Sequence, residues 1–286
     1  MSDLHGANDI GLKDRVVLVT GAGRGLGRSY AELLARHGAK VAVHDAGVDT
    51  AGGNPDPACA GAVADAIAAA GGDAVPIADV LDDADSCRRV VGAVLERYGR
   101  IDGLIHSAGL VAWQDPAETD EATYRRLTGV NTDAAFWLCR HVLSAMRDQG
   151  FGRIVLTTSG WALGPHRGAE ELVLYCHGKG AQFGLAMGLA NAAGHDEIKV
   201  NLLAPVANTR MYSGDVPVGK LDPARVAGAA AWLVSPACTV SGRIVAAADG
   251  NIALNRFAAT ETVELGADAA DPGAAGRAIL SLADAD

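Results

Sequence analysis

Short apolar runs alternate with longer alanine- and leucine-rich stretches along most of this 286-residue chain, and the alternation constrains the fold more than any other feature. Most of the short runs are apolar at nearly every position, which is typical of strands buried on both faces of a sheet. The strand candidates are Arg15–Thr20, Lys40–Asp45, Ala74–Ile77, Ile101–Ser107, Arg153–Thr158, Lys199–Leu203 and Arg243–Ala247. The helix candidates are Leu26–His37, Ala58–Ala70, Ala84–Tyr98, Glu121–Arg147, Leu172–Ala192 and Pro223–Val234. This order predicts an α/β fold with one doubly wound, seven-stranded parallel sheet and helices on both faces.

The domain organisation follows from the lack of any linker or shift in composition along the chain. We expect a single domain over residues 1–286, with a short polar N-terminal arm (1–11) and an alanine- and aspartate-rich C-terminal tail (266–286). The tail is expected to be mobile or to pack on a neighbouring subunit. Residues 47–57, GVDTAGGNPDP, have the composition of a loop placed directly after the second strand.

Charge and cysteine content restrict the classes of partner. The chain has 34 acidic and 24 basic side chains, a formal net charge of −10, so binding of polyanionic nucleic acid is not expected. No apolar run approaches the length of a membrane span and the N-terminus lacks a signal-peptide core, which predicts a cytoplasmic protein without membrane contact. The five cysteines are scattered and form no C-x-x-C pair, so we expect free thiols and no metal site.

A glycine-rich turn links the first strand to the first helix, and residues 20–27 read TGAGRGLG. Glycines allow the backbone to turn tightly and to approach a pyrophosphate, whose charge is then stabilised at the positive end of the helix. The motif predicts a dinucleotide-binding Rossmann fold, and a tight turn without a ligand is the alternative. The residues expected to contact the cofactor here are Gly21, Arg24, Gly25, Leu26 and Gly27.

Two residues of opposite charge bear on the choice of cofactor. Asp45 ends the second strand, where a carboxylate accepts hydrogen bonds from the adenosine ribose and repels the extra phosphate of NADP. Arg24, inside the glycine turn, favours that phosphate instead. Asp45 is expected to lie nearer the 2′ position, so the sequence favours NAD over NADP.

A tyrosine and a lysine four residues apart open the fifth helix candidate, in Tyr175-Cys176-His177-Gly178-Lys179. Residues at i and i+4 share one helix face, so the phenol and the ammonium are expected in the same cleft. The lysine would lower the pKa of the tyrosine and make it a usable acid or base. Ser159 ends the preceding strand, where its hydroxyl can bind a substrate oxygen.

These motifs, in this order, resemble the short-chain dehydrogenase/reductase family over residues 12–255. The resemblance implies an oxidoreductase acting on a secondary alcohol or its ketone, with catalytic residues Asn131, Ser159, Tyr175 and Lys179. In the family the asparagine holds a water that links the lysine to solvent. Further positions that the resemblance assigns to the cofactor are Asp79 and Val80, His106, Ala108 and Gly109, and Pro205, Val206 and Asn208. The family's usual assembly implies a homodimer or homotetramer.

Within the family, the aspartate followed by the glycine-rich insertion resembles the dehydrogenase domain of multifunctional enzyme type 2. That branch oxidises (3R)-hydroxyacyl-CoA, and some members oxidise 17β-hydroxysteroids. The residues that could form an apolar substrate pocket are Trp113, Trp161, Met211 and Tyr212, with plain packing as the alternative. We therefore expect a bulky hydrophobic substrate.

Two departures from the family pattern keep other functions open. His106 and Ser107 stand where the family has two asparagines, and Gly178 replaces a small helix former directly before Lys179. The alternatives are an NADPH-dependent carbonyl reductase with the same four catalytic residues, and a catalytically silent NAD(P)-binding or sensor protein.

Overall fold

The structure is a computed structural model that describes residues 9–50, 52–164, 169–194, 197–211, 216–217 and 219–283. The chain divides into two compact units, one ending at Leu254 and one starting at Asn255. The first unit contains the sheet, apart from the last residue of its last strand, and seven of the eight α-helices described below; the second contains the last helix. A single domain over the whole chain stays a prediction.

The sheet has eight strands in the order β3-β2-β1-β4-β5-β6-β7-β8. The strands are β1 Val16–Thr20, β2 Lys40–His44, β3 Asp73–Ile77, β4 Gly103–His106, β5 Gly152–Thr157, β6 Ile198–Val206, β7 Ile244–Ala248 and β8 Asn251–Asn255. All six pairings among the first seven strands are parallel. The doubly wound α/β fold is confirmed, but the count of seven strands is wrong. Only two residues separate β8 from β7, a connection too short for a parallel crossover, so β8 runs antiparallel.

The α-helices are α1 Gly25–Arg36, α2 Ala58–Ala69, α3 Ala84–Tyr98, α4 Glu121–Thr128, α5 Ala134–Asp148, α6 Val173–Ala192, α7 Ala224–Leu233 and α8 Pro272–Ala283. The sequence predicts one helix over Glu121–Arg147, but a π-helical segment, Gly129–Asp133, separates α4 from α5. In the part of the chain that the structure describes, no helix combines the length and apolarity needed to cross a bilayer.

Two apolar layers cover the faces of the sheet. On β1, Val17 and Val19 pack into the layer that contains residues of α1, α2 and α7, whereas Val16 and Leu18 pack into the layer of α3, α5 and α6. Both layers are built from buried side chains, which explains why the strands are apolar on both faces. Because the chain winds outward from β1 in one direction and from β4 in the other, a crevice forms where the carboxyl ends of β1 and β4 diverge.

Candidate active site

The glycine turn between β1 and α1 lies at the carboxyl end of the sheet, where it meets the chain leaving β4. Gly21 has a φ of 68°, and a Cβ atom at this position would lie 2.8 Å from the Cα atom of Ala108. Helix α1 begins at Gly25 and has no acidic side chain in its first turn. Its unpaired backbone N–H groups therefore provide a positive end suited to an anion such as pyrophosphate.

A cavity of about 740 Å³ opens at this turn. Its lining includes nine of the residues predicted to contact the cofactor, namely Gly21, Arg24, Gly25, Leu26, Gly27, Asp45, Val80, Ala108 and Gly109. The lining also includes residues that the motifs did not indicate, among them His44, Val48, Gly52, Arg125 and Arg126, together with Thr209 and Arg210 after β6. The size and the close approach of backbone fit an extended dinucleotide.

Asp45 is tied into the glycine turn by both carboxylate oxygens. Gly23 N donates to Oδ2 at 2.8 Å and Gly47 N donates to Oδ1 at 2.7 Å. The side chain is nearly buried, with 9% of its residue surface exposed, yet it lines the cavity. Because each carboxylate oxygen can accept two hydrogen bonds, Asp45 retains acceptor capacity for hydroxyl groups.

The segment after β2 borders the cavity, and we call its described residues, 46–50 and 52–57, the β2 insertion. Val48 O accepts hydrogen bonds from Arg210 Nη1 at 2.7 Å and from Arg24 Nη1 at 3.4 Å. Further along, Val111 N donates to Thr50 O at 3.4 Å. The predicted loop is thus a wall of the cavity that connects β2 with the chain leaving β4 and β6.

Several predicted cofactor residues lie outside the lining of the cavity. The carboxylate of Asp79 accepts two hydrogen bonds from Arg89, at 3.2 Å each, while its neighbour Val80 lines the cavity. Pro205 and Val206 end β6, and Asn208 donates its backbone N–H to Leu221. On this segment the residues in the lining are Thr209, Arg210 and Met211.

His106 is fully buried at the end of β4, beneath the turn rather than in the cavity. Its Nδ1 atom lies 2.9 Å from Thr20 Oγ1, which also accepts a hydrogen bond from Ala108 N. Burial, with a smaller contribution from the charge of Lys179, lowers the pKa of His106 to about 3. The imidazole is therefore neutral, and it positions the backbone of the cofactor cleft.

Ser159, Tyr175 and Lys179 come together where β5 meets α6. Thr158 Oγ1 donates to Lys179 O at 3.0 Å, which holds the strand end against the helix. Burial raises the pKa of Tyr175, while a hydrogen bond with Ser159 lowers it. The Lys179 ammonium is 5.8 Å from the centre of the Tyr175 ring. The hydrogen bond with Ser159 favours ionisation of the phenol, and an effect of Lys179 on its pKa stays a prediction.

Lys179 is only 2% exposed, and burial lowers its pKa to about 8. A Cβ atom at Gly109 would lie 3.4 Å from Lys179 Nζ and 3.2 Å from Asn131 Oδ1. Since Gly109 lines the cavity, the four catalytic candidates lie at the edge of the predicted cofactor site. The arrangement supplies a phenol, a hydroxyl and a cation around one end of the cleft, which suits proton transfer to or from an alcohol oxygen.

Two tryptophans lie beside the serine. The rings of Trp113 and Trp161 are 5.8 Å apart in an edge-to-face arrangement, and Trp161 N donates to Ser159 Oγ at 3.3 Å. Trp113 is 37% exposed. Met211 lines the cofactor cavity, and Tyr212 lies outside the described residues. The pair forms an apolar surface next to the hydroxyl expected to bind substrate.

Comparison with known proteins shows the family of this chain. The profile of the short chain dehydrogenase family matches residues 15–214. The chain belongs to the short chain dehydrogenase family. This family binds a nicotinamide dinucleotide, and the glycine turn and its cavity fit that cofactor.

Relatives within the family include a peroxisomal multifunctional enzyme type 2 from Drosophila melanogaster, 32% identical over 82% of this chain. The chain spans 39% of the length of that relative. A levodione reductase from Leifsonia aquatica is 36% identical over 68% of this chain and 69% of its own length. Among solved structures, a short chain dehydrogenase from Mycobacterium avium has a TM-score of 0.83 and 31% identity, covering 96% of both chains.

Proposed function

We propose that this protein is an oxidoreductase that uses NAD to interconvert a bulky, apolar secondary alcohol and its ketone. The observation that carries the choice of cofactor is the position of Asp45 in the lining of the cavity, fixed by Gly23 and Gly47. A carboxylate at this strand end accepts hydrogen bonds from ribose hydroxyls and repels a 2′-phosphate.

NADP is the second candidate, because four arginines line the same cavity. They are Arg24, Arg125, Arg126 and Arg210. Two of them, Arg24 and Arg210, already donate to the carbonyl of Val48. We favour NAD for two reasons. The pyrophosphate, which both cofactors contain, is sufficient to explain cations along the cleft. A carboxylate at the end of β2 would repel a 2′-phosphate.

The substrate class rests on the tryptophan pair beside Ser159. Edge-to-face aromatic rings form a rigid apolar wall, which favours a large hydrocarbon surface over a sugar. The similarity to a multifunctional enzyme type 2 and to a levodione reductase supports a keto or hydroxy compound of some size. A hydroxyacyl-CoA and a hydroxysteroid-like alcohol are the two forms that we propose.

The chain's own residues define the proton chemistry. In the oxidation direction, Tyr175 accepts the proton of the alcohol while Ser159 holds the substrate oxygen. Lys179 binds the ribose next to the nicotinamide and supplies positive charge near the phenol. Asn131 belongs to the path that connects Lys179 with solvent. A bound nicotinamide cofactor would supply the acceptor for the hydride that leaves the alcohol carbon.

The cofactor proposal is tested by titrating the protein with NAD and NADP. We expect NAD to bind at least about ten times more tightly, a difference of about 1.4 kcal/mol. In Asp45→Ala the gap should shrink, because the carboxylate that repels the phosphate is gone while Arg24 remains. Tighter binding of NADP by the unchanged protein would contradict the proposal.

The substrate proposal is tested by following NADH formation with three kinds of alcohol: a (3R)-hydroxyacyl-CoA, a 17β-hydroxysteroid and a small polyol. We expect turnover of at least one of the two large apolar substrates. Rates at low and high salt separate them further, since recognition of the CoA phosphates by arginines weakens as salt screens it. Turnover confined to the polyol would rule out the apolar pocket.

A further inference from the structure

Gln182 is a fully buried polar side chain on α6, three residues after Lys179 and thus on the same side of the helix. Its Nε2 atom donates to the main-chain carbonyl of Asn131 at 2.8 Å. A carbonyl can only accept, so the orientation of the amide is fixed by this bond. The Oε1 atom of Gln182 is then a buried acceptor, and it has no hydrogen-bond partner among the described residues.

The side chain of Asn131 is occupied elsewhere. Its Oδ1 accepts from Leu110 N at 2.8 Å and its Nδ2 donates to Leu110 O at 2.9 Å. Its main-chain carbonyl, within the π-helical segment Gly129–Asp133, is directed to Gln182 on α6. Such segments alter the direction of backbone carbonyls and occur mostly at functional sites.

Gly178 explains how the two elements approach so closely. A Cβ atom at Gly178 would lie 2.6 Å from the Cβ atom of Asn131, a distance that real Cβ atoms do not reach. The glycine that breaks the family pattern therefore lets the π-helical segment pack directly on α6. This packing brings the carbonyl of Asn131 within hydrogen-bond distance of Gln182.

In the family, the water that connects the lysine with solvent is held by the asparagine. We propose that in this chain Gln182 is a positioning residue of that proton path: its Nε2 takes one of the two acceptor sites of the Asn131 carbonyl, and its unpaired Oε1 is the buried acceptor that holds the water. Lys179 then exchanges protons with a water held by Gln182. The amide itself transfers no proton, because its oxygen only accepts a hydrogen bond and the proton leaves through water.

This inference rests on the proposed dehydrogenase function but has a test that does not need activity. A crystal structure of the full chain that resolves ordered water should show a water within hydrogen-bond distance of both Gln182 Oε1 and Lys179 Nζ. A water bound to Asn131 O, with the Gln182 amide turned away, or no water at Oε1, overturns the inference while leaving the dehydrogenase function intact.

Kinetics provide the second test. Gln182→Met keeps the length of the side chain and removes both hydrogen-bonding groups, so kcat should fall about tenfold when proton transfer is impaired. The KM values for cofactor and alcohol should stay within about twofold, since Gln182 is placed to act on proton transfer and not on binding. Gln182→Glu retains an oxygen acceptor and should keep more of the activity than the methionine variant.

A matched control is Gln149→Met. Gln149 also donates to main-chain carbonyls, those of Ile101 and Phe151 at 2.6 and 2.8 Å, but it lies at the opposite end of β4 and β5. Its loss should lower thermal stability and leave kcat unchanged. If Gln182→Met lowers stability like the control and leaves kcat unchanged, Gln182 has only a structural role and the inference is wrong.

Discussion

Replacement of Tyr175 by phenylalanine tests the acid–base assignment most directly. Burial raises the pKa of the phenol, which favours the protonated form that donates a proton to a ketone in the reduction direction. Tyr175→Phe should bind the cofactor normally and lose activity by about 10²–10⁴-fold, the range typical of a positioned acid or base. The measurements are cofactor titration and turnover with the best substrate. Near-normal turnover would show that a group other than Tyr175 transfers the proton.

The lowered pKa of His106 predicts that the folded protein loses stability in acid. This pKa is about 3 in the folded chain, compared with an ordinary value near 6.5, so the folded protein excludes a proton that the unfolded chain binds below pH 6.5. His106 therefore does not lower the free energy of unfolding above this pH, and the free energy of unfolding decreases as the pH falls below it. At pH 5 the loss amounts to about 2 kcal/mol. Burial lowers the pKa of His44 as well, which adds a loss in the same direction.

The variant His106→Asn, which introduces the residue that the family pattern has here, should lose less stability than the parent between pH 7 and pH 5. Urea unfolding at the two pH values measures the difference. His37→Asn, at an exposed histidine, is the matched control and should behave like the parent. An equal loss of stability in parent and His106→Asn would show that His106 is not the group responsible.

At the scale of elements, the regular strands and helices were predictable because their apolar periodicity reflects burial. The interruption of the long helix at Gly129–Asp133 was not, because a π-helical segment preserves the overall helical pattern and depends on contact with α6. Strand β8 was missed for a different reason. Residues Ile252 and Leu254 are exposed, so neither face of this strand is buried and its sequence shows no alternation of apolar and polar residues.

The candidate site, too, could be predicted from the sequence only in part. Motifs around the glycine turn and α6 could be recognised because the chemistry restricts residue type at fixed spacing. The bond from Arg210 to Val48 and the position of Gln182 beside Asn131 could not, since each depends on a contact between elements far apart in sequence. The β2 insertion was correctly predicted as a loop, yet only its folded path reveals that it walls the cavity.

At the scale of the whole molecule, the strand order separates the residues that determine cofactor preference from those that bind the substrate. Asp45 follows β2, whereas Ser159 and Trp161 follow β5, and strands β1 and β4 lie between these two. Three steps of about 4.8 Å place the strand ends about 14 Å apart, beyond the range over which substitutions usually influence one another. A change of cofactor preference at Asp45 and a change of substrate at the tryptophans should therefore combine additively in the free energy of activation. Either property can drift through mutation, or be redesigned, without disturbing the other.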